Sequence, residues 1–382
     1  MRVAVNLLYM IPGVVGGTET YARGLVGALP LVDEETEYIV FLNREAAGER
    51  LSDAPNVSHV VCPVTASRRA ARYAYEQTVL PAQLAAHRVD LLHSLGYIGP
   101  LVSPCRHLLT VPDLNFVGHR DTMSARRRLF LRAMVGAAAR RADHLLTISE
   151  FSRDQIVERY GLLMDGVTVT HLASRPASRP PEGVIAAARQ RHGLPTPYVV
   201  AFGSTFRHKN LTRLVEAFAV LALAHPHQLV LVGRLADDVR ARITELGLEP
   251  RVTCTGFVPD GDVAPIVAGA ELLVFPSLYE GFGLPLLDAQ ALDVPVAASR
   301  AGALPEVGGD GAIYFDPERV SDIAAVVGGL LGDQAVRHEL ARRGAANVLR
   351  FSWERTARLT CETYHRFAPR ASRRTSAGVR HA

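Results

Sequence analysis

Of the 42 basic residues in this chain, only Lys209 is a lysine. It stands near the end of Gly203-Ser204-Thr205-Phe206-Arg207-His208-Lys209-Asn210, directly after the short apolar run Tyr198 to Phe202. An ammonium is a compact, strongly hydrated point charge on a flexible stem, whereas a guanidinium is a planar fork. One ammonium kept in so arginine-rich a chain points to an anionic oxygen approached end on. The second stretch, Phe275-Pro276-Ser277-Leu278-Tyr279-Glu280-Gly281-Phe282-Gly283-Leu284-Pro285-Leu286-Leu287-Asp288, reads as a buried strand, a loop with two glycines and a helix start. Pro285 falls in the first helical turn, where a missing amide hydrogen costs nothing. Unbonded backbone donors and the positive end of the helix dipole make such a start an anion site, and Gly281 and Gly283 let the backbone come close to a phosphate. Glu280 lies just outside that helix and Asp288 about one turn inside. Their carboxylates can accept hydrogen bonds from hydroxyls on either side of a diphosphate. Either acid alone would read as a loop charge or a dipole partner; two acids around this glycine loop read as a site.

The elements that must hold these residues follow from apolar periodicity. Strand-like runs lie at Val3 to Leu8, Tyr38 to Leu42, His59 to Val64, Asp90 to His93, His107 to Val111, His144 to Ile148 and Val167 to His171. Helical patterns fall between several of them, at Thr18 to Leu29, Arg69 to Ala86, Ala125 to Arg141 and Ser152 to Tyr160. After a stiff polar connector, Ser174 to Pro181, the alternation restarts with strands at Tyr198 to Phe202, Leu229 to Val232, Val252 to Thr255, Leu272 to Phe275, Pro295 to Ala298 and Ala312 to Phe315. Helices are expected at Leu211 to Ala224, Asp238 to Leu246 and Pro285 to Leu292. Alternating strands and helices signal an α/β fold with parallel sheets wrapped on both faces. Two such doubly wound sheets in tandem leave a cleft between their carboxyl edges, where ligands of these sheets bind. The expected domains are 1–175 and 176–350. A C-terminal helix over 351–368 is expected to cross back to the first domain, and 369–382 reads as a disordered basic tail.

Composition narrows the classes. At 382 residues, 48% hydrophobic and 21% charged, the chain is ordinary for a globular protein with two sizeable cores. The four cysteines, Cys62, Cys105, Cys254 and Cys361, are widely spaced and form no C-x-x-C pair, which predicts reduced thiols and a cytoplasmic setting. Asn6 interrupts the first apolar run, so Met1 to Met10 reads as a first strand rather than a signal peptide. No apolar stretch is long enough to span a bilayer. The first domain carries Arg68, Arg69, Arg72, Arg126, Arg127, Arg128, Arg132, Arg140 and Arg141. These read as solvated helix faces of an arginine-rich chain; the alternative is an anionic acceptor or peripheral contact with acidic lipid headgroups. Nucleic acid is not expected, because the basic stretches lack interleaved aromatics and no binding motif is present.

Taken together these residues resemble a known family. Tyr279-Glu280-Gly281-Phe282-Gly283-Leu284-Pro285-Leu286-Leu287-Asp288-Ala289 resembles the acidic signature of glycosyltransferase family 4, retaining enzymes of the GT-B architecture that use nucleotide-diphosphate sugars. Gly203 to Leu211 is similar to that family's donor-phosphate loop. Asp90 to Ser94, Leu146 to Ser152 and Gly302 to Glu306 fit as well, and Glu76-Gln77 with Leu80-Pro81 resembles a mannosyltransferase-like branch. The resemblance implies two Rossmann-like domains facing across a cleft. It implies that Lys209 holds the donor diphosphate, helped by Arg207, and that Glu280 contacts the transferred sugar. The amides of Phe282, Gly283 and Leu284 would meet sugar hydroxyls or phosphates, and Asp288 the ribose. Gly16 and Gly17 would approach the phosphates or the acceptor from across the cleft, and Gly256, Phe257 and Val258 would frame the base. Asp113 falls on the acceptor side.

Two positions depart from the family pattern. Asp288 stands where glutamate is usual, one methylene shorter. Pro112, in Thr110-Val111-Pro112-Asp113-Leu114, stands where a histidine usually contacts the sugar, and proline offers neither a side-chain donor nor an amide hydrogen. The implied activity is transfer of a hexose, with mannose from GDP-mannose favoured by the branch likeness, to a glycan, lipid-linked or small-molecule acceptor. With a protein cation at the leaving group, no metal and no cofactor are expected. The alternatives are an impaired nucleotide-sugar-binding protein, and a nucleotide-sugar epimerase or hydrolase on the same fold.

Overall fold

The computed structural model describes residues 1–115, 125–175 and 178–367; the expected basic tail, 369–382, lies outside the described residues. Strands β1 (Arg2–Asn6), β2 (Glu37–Leu42), β3 (Val57–Val61), β4 (Leu91–Ser94), β5 (Arg106–Thr110), β6 (His144–Thr147) and β7 (Val167–Val169) form a seven-stranded sheet in the order β3-β2-β1-β4-β5-β6-β7. Around it run α1 (Gly17–Val32), α2 (Arg69–Ala86), α3 (Ala125–Arg141) and α4 (Glu150–Tyr160). The second sheet, in the order β10-β9-β8-β11-β12-β13, joins β8 (Tyr198–Phe202), β9 (Gln228–Val232), β10 (Val252–Gly256), β11 (Leu272–Phe275), β12 (Val296–Ser299) and β13 (Ala312–Phe315). Its helices are α5 (Glu182–Arg191), α6 (Leu211–Leu221), α7 (Asp237–Glu245), α8 (Asp260–Ala268), α9 (Leu284–Ala291), α10 (Leu304–Gly308), α11 (Val320–Gly332) and α12 (Gln334–Val348). A last helix, α13, spans Trp353–Phe367.

Every pairing within the two sheets is parallel among the described residues, with Val5 opposite His93 and Val199 opposite Leu272 at the two central pairs. Parallel sheets are covered on both faces, so their strands are near-continuous apolar runs, as in Tyr198-Val199-Val200-Ala201-Phe202. Strand order reverses between β1 and β4 in the first sheet and between β8 and β11 in the second. Crevices open at such reversals, outside the carboxyl ends of the strands. The Gly16-Gly17 turn follows β1, while the Lys209 and Glu280 loops follow β8 and β11, so all three leave their sheets at a reversal.

One core cluster joins the domains. Val3, Val5, Tyr38 and Val40 of the first sheet and Tyr21, Leu25 and Leu29 of α1 are buried with Phe282, Leu287, Ala303 and Val307 from the second half. The same cluster holds Ala357, Cys361 and Tyr364 of α13, whose spacing puts them on one helical face. A methyl group at Gly24 of α1 would lie 2.3 Å from the Trp353 indole, so only glycine permits this approach. The Tyr364 hydroxyl lies 2.7 Å from His93 Nδ1, and His93 Nε2 lies 2.8 Å from Thr110 Oγ1. On the opposite face of the sheet, Leu80 and Leu84 of α2 cover Ile39, Phe41 and Leu92.

Three histidines are buried in the first sheet. Burial pushes His93 down to about 3, with His107 adding to the shift; burial takes His107 down to about 4, with Asp143 opposing, and His144 down to about 4. All three fold as neutral rings, while the unfolded chain binds their protons near 6.5. Unfolding therefore takes up protons below that value, and stability is full above it and falls on acidification toward pH 4. Denaturant titrations at pH 7.5 and 5 should show a loss that approaches about 1.4 kcal/mol per pH unit for each histidine. His93→Gln should reduce that slope; a pH-independent stability over this range would contradict the neutral rings.

Candidate active site

Lys209 ends a short 3₁₀ turn, Arg207–Lys209, and its Nζ lies 2.6 Å from Glu280 Oε1. The two side chains are 24% and 14% exposed, so the pair is largely out of water yet open to the cleft. The ammonium also lies 5.5 Å from the centroid of the Phe275 ring, within cation–π range. Asn210 adopts a left-handed conformation (φ 58°) and donates through Nδ2 to the carbonyls of Pro276 (3.0 Å) and Pro317 (2.7 Å). The amide of Leu278 donates to the His208 carbonyl at 2.7 Å. These bonds lash the loop after β8 to the loop after β11, which fixes the ammonium against the carboxylate.

Glu280 is set from below by Gly302. A methyl group there would lie 2.5 Å from the Glu280 carbonyl oxygen, and Gly302 has φ +59°, so any side chain would be both clashing and strained. The Ala303 amide donates to that carbonyl at 3.0 Å. Farther along, Gly283 at φ +107° begins α9 and its carbonyl accepts from the Leu286 amide at 3.0 Å. Among the described residues the amides of Phe282, Gly283 and Leu284 donate no hydrogen bond. With Pro285 next, this is an open donor set at a helix start, suited to an anion or to sugar hydroxyls. Across the cleft, Gly16 (φ 60°) precedes α1 and a methyl at Gly17 would touch Leu284 Cδ1 at 3.7 Å. The glycine turn of the first domain thus faces the start of α9.

Asp113 is brought to the same place. A methyl at Gly281 would lie 2.6 Å from Asp113 Cβ, and Asp113 Oδ1 accepts from the Tyr97 hydroxyl at 2.7 Å and the Asn115 amide at 3.2 Å. Burial raises its carboxyl above the usual range, opposed by Tyr97 and Asn115 and reinforced by the Glu280 charge. Pro112 is buried beside it, and its carbonyl accepts from Thr147 Oγ1 at 3.3 Å.

Other residues expected at the site are placed differently. Arg207 is 71% exposed, with Nε 3.9 Å from Asp238 Oδ2 rather than beside Glu280. In a 3₁₀ turn successive side chains diverge by a third of a turn, so Arg207 and Lys209 cannot point the same way. Asp288 is engaged by the connector, where the Arg175 amide donates to Oδ1 at 3.2 Å and the Arg175 guanidinium lies 3.4 Å from Oδ2. Burial raises the Asp288 carboxyl, and Arg175 only partly offsets this. Gly256 (φ 67°) bridges Gly233 at the end of β9, Phe257 is 77% exposed, and Val258 is buried in the core. A methyl at Gly203 would lie 2.9 Å from the Gly233 carbonyl oxygen, so three glycines at the ends of β8, β9 and β10 crowd together into a side-chain-free floor.

The seam between the domains carries contacts that sequence spacing does not signal. Glu306, entering α10, accepts from the amides of Glu150 (2.8 Å) and Phe151 (3.1 Å) at the start of α4 and lies 2.7 Å from His171 Nε2. Burial would raise its carboxyl, but His171 and the two amides outweigh burial and hold it below the usual range. Ser149 Oγ donates to the Gly281 carbonyl at 2.7 Å, and the Tyr279 hydroxyl bonds Gln155 at 2.8 Å while accepting from the Leu114 amide at 3.2 Å. Glu306 was visible only as part of a family-like segment. Arg175, Tyr97 and Gly233 carried no sequence signal, because their partners lie in distant loops. Among the described residues no group of three or more His, Cys, Asp or Glu side chains is arranged to hold a metal ion, and no helix is long and apolar enough to cross a membrane.

Residues 15–173 match the family described as Glycosyltransferase Family 4, and residues 185–347 match Glycosyl transferases group 1. The O-antigen chain mannosyltransferase B of Escherichia coli is 34% identical over 58% of this chain, an alignment that spans 60% of that relative's length. A D-inositol 3-phosphate glycosyltransferase of Arthrobacter sp. (strain FB24) is 27% identical over 95% of this chain and 94% of its own. In structure, Anabaena Alr3699/HepE in complex with UDP and glucose superposes with a TM-score of 0.74, at 21% identity, over 96% of this chain and all of that one (100%). The two family matches meet the two sheets one for one, and the chain belongs to glycosyltransferase family 4, with the GT-B architecture and a likeness to its mannosyltransferases.

Proposed function

We propose that this glycosyltransferase moves a hexose from a nucleotide-diphosphate sugar to an acceptor hydroxyl, with retained anomeric configuration and without a metal ion. The observation that carries the proposal is the Lys209–Glu280 pair beside the open amides of α9. Mannose from GDP-mannose is the donor favoured by likeness to mannosyltransferases, and the UDP and glucose held by the Anabaena neighbour are of the same chemical class. In the reaction the bond from the anomeric carbon to the diphosphate oxygen breaks, and its electron pair leaves with the nucleoside diphosphate. The acceptor oxygen bonds the anomeric carbon and its proton passes to the departing diphosphate. Charge therefore grows on the phosphate and oxocarbenium character on the sugar.

Lys209 and the α9 amides stabilise the growing phosphate charge, and donors fixed in advance where charge develops are the strongest aid a protein site can give to such a step. Glu280 exchanges its lysine for the sugar, and Asp288 turns from Arg175 to the ribose hydroxyls. Asp113, held by Tyr97 against Gly281, lies on the acceptor side of the reacting carbon. The glycines at 203, 233 and 256 let the base lie flat on backbone, with Phe257 at its edge. Arg207 approaches the phosphates only by leaving Asp238. Pro112 favours a second reading, a nucleotide-sugar-binding protein with impaired chemistry, since it supplies no side-chain donor at the sugar.

A panel of UDP-, GDP-, ADP- and dTDP-sugars followed by NMR tests the reading. Slow release of one sugar in its original anomeric form is the expected result; inverted sugar would overturn retention, and selective binding without release favours the impaired reading. Lys209→Ala and Glu280→Ala should each lower donor turnover about a hundredfold or more. Near-normal turnover in both variants refutes the site. Turnover should also persist in chelator, and activity lost to chelator and restored by magnesium or manganese would sink metal independence.

A further inference from the structure

The first turns of α2 and α3 lie together on the first-domain side of the cleft, and both are cationic. Arg68 and Arg69 begin α2 and Arg126, Arg127 and Arg128 begin α3, while neither first turn contains an acid. Cations at a helix start oppose the dipole, so this arrangement is unfavourable unless an anion joins it. The two helices are held by the Tyr73 and Phe130 rings, 5.1 Å apart. Arg72 lies with its guanidinium carbon 4.5 Å from the centroid of the Tyr73 ring and is 9% exposed. Its Nε is buried without a hydrogen-bond partner among the described residues.

Arg127 lies one turn before Phe130 on α3 and Arg69 one turn before Tyr73 on α2, so both share the helix faces that meet at this ring pair. One turn along α2 from Arg72, the buried Glu76 also has an oxygen, Oε2, without a partner. The group borders the reaction cleft through Tyr9, which feels the Arg72 charge and donates from its hydroxyl to the Thr18 carbonyl just past the Gly16-Gly17 turn. Arg69, Arg72 and Arg127 thus come from the two helix stretches that meet at the Tyr73–Phe130 contact, and with the Arg72 Nε donor unspent they form a set suited to a phosphate.

We propose that Arg69, Arg72 and Arg127 bind a phosphate group carried by the acceptor. This rests on the transferase reading, in which the donor occupies the second domain and the acceptor enters from the first. The phosphate would anchor the acceptor at the far side of the cleft, leaving a hydroxyl of the same molecule to reach the sugar held at Glu280. A phospholipid-like headgroup and a free phosphorylated sugar or polyol present this same chemistry.

The test uses the full chain saturated with whichever nucleoside diphosphate it binds, so that the Lys209 side is filled, and titrates inorganic phosphate by calorimetry. Saturable binding is expected, weakened about tenfold or more by Arg69→Gln and by Arg127→Gln, as for loss of a charged hydrogen bond. Both variants should bind the nucleoside diphosphate like the parent. Arg72 is buried enough that Arg72→Gln can unfold the domain, so the two exposed arginines carry the test and Arg72→Lys supplies an intermediate loss. Nucleoside diphosphate binding with no phosphate binding, or with phosphate binding unchanged in both variants, overturns the inference. Failure to bind any nucleoside diphosphate overturns the donor reading instead, and phosphate binding that needs these arginines then still supports the anion site. Binding to phosphatidylglycerol vesicles that is lost in the Arg69→Gln/Arg127→Gln double variant identifies a headgroup source. Displacement of phosphate by glycerol 3-phosphate without vesicle binding identifies a soluble one.

Discussion

An ammonium and a carboxylate 2.6 Å apart, both mostly withdrawn from water, dictate how the loops of the second domain are built. Removing such groups from solvent costs several kcal/mol per ion unless geometry and neighbouring dipoles compensate. Here the two charges come from loops that leave adjacent strands, β8 and β11, at the reversal of strand order. Asn210 ties those loops together through the Pro276 and Pro317 carbonyls, and Gly302 leaves room for the Glu280 backbone. None of these supports is a charged group. They hold position, and the ammonium and carboxylate then satisfy each other.

The seam repeats that logic with different partners. Glu306 of the second domain occupies the start of α4 in the first, where two amides and His171 meet it. It sits at a helix N-terminus, the place where a negative charge is most favoured. Around it the Phe282 ring packs edge-on to Phe351, so an apolar cluster and an ionic contact close the same joint. Arg175 adds a contact of another kind. It holds Asp288 of α9 by its amide and its guanidinium, so the connector is pinned to the helix that starts at the glycine loop.

Much of the architecture was legible because parallel strands are short apolar runs separated by amphipathic helices. All the strands named from the sequence are present, with ends displaced by up to a few residues, and Arg69–Ala86 and Ala125–Arg141 are helices over the expected spans. Helices α5, α8, α10, α11 and α12 were not anticipated. Pro265 and Gly261 interrupt the pattern of α8, and Gly328 and Gly329 that of α11, so tertiary burial of Ile266, Ile323 and Val327 decides what local propensity does not. At the site, Lys209, Glu280 and the α9 start were legible because loop and helix-start chemistry is local. The placement of Arg207 and the capture of Asp288 were not. One depends on the phase of a 3₁₀ turn and the other on a partner 113 positions away.

The return of α13 to the first sheet bears on how the chain is made. The face of α1 that packs against Ala357, Cys361 and Tyr364 belongs to a domain whose strands are complete by Val169. During synthesis that domain waits with an apolar face uncovered while the entire second sheet is translated and folded. Exposed apolar surface on a growing chain is where chaperones bind and where aggregation starts. Gly24, by admitting the Trp353 indole, lets a helix translated after the whole second sheet close over that face.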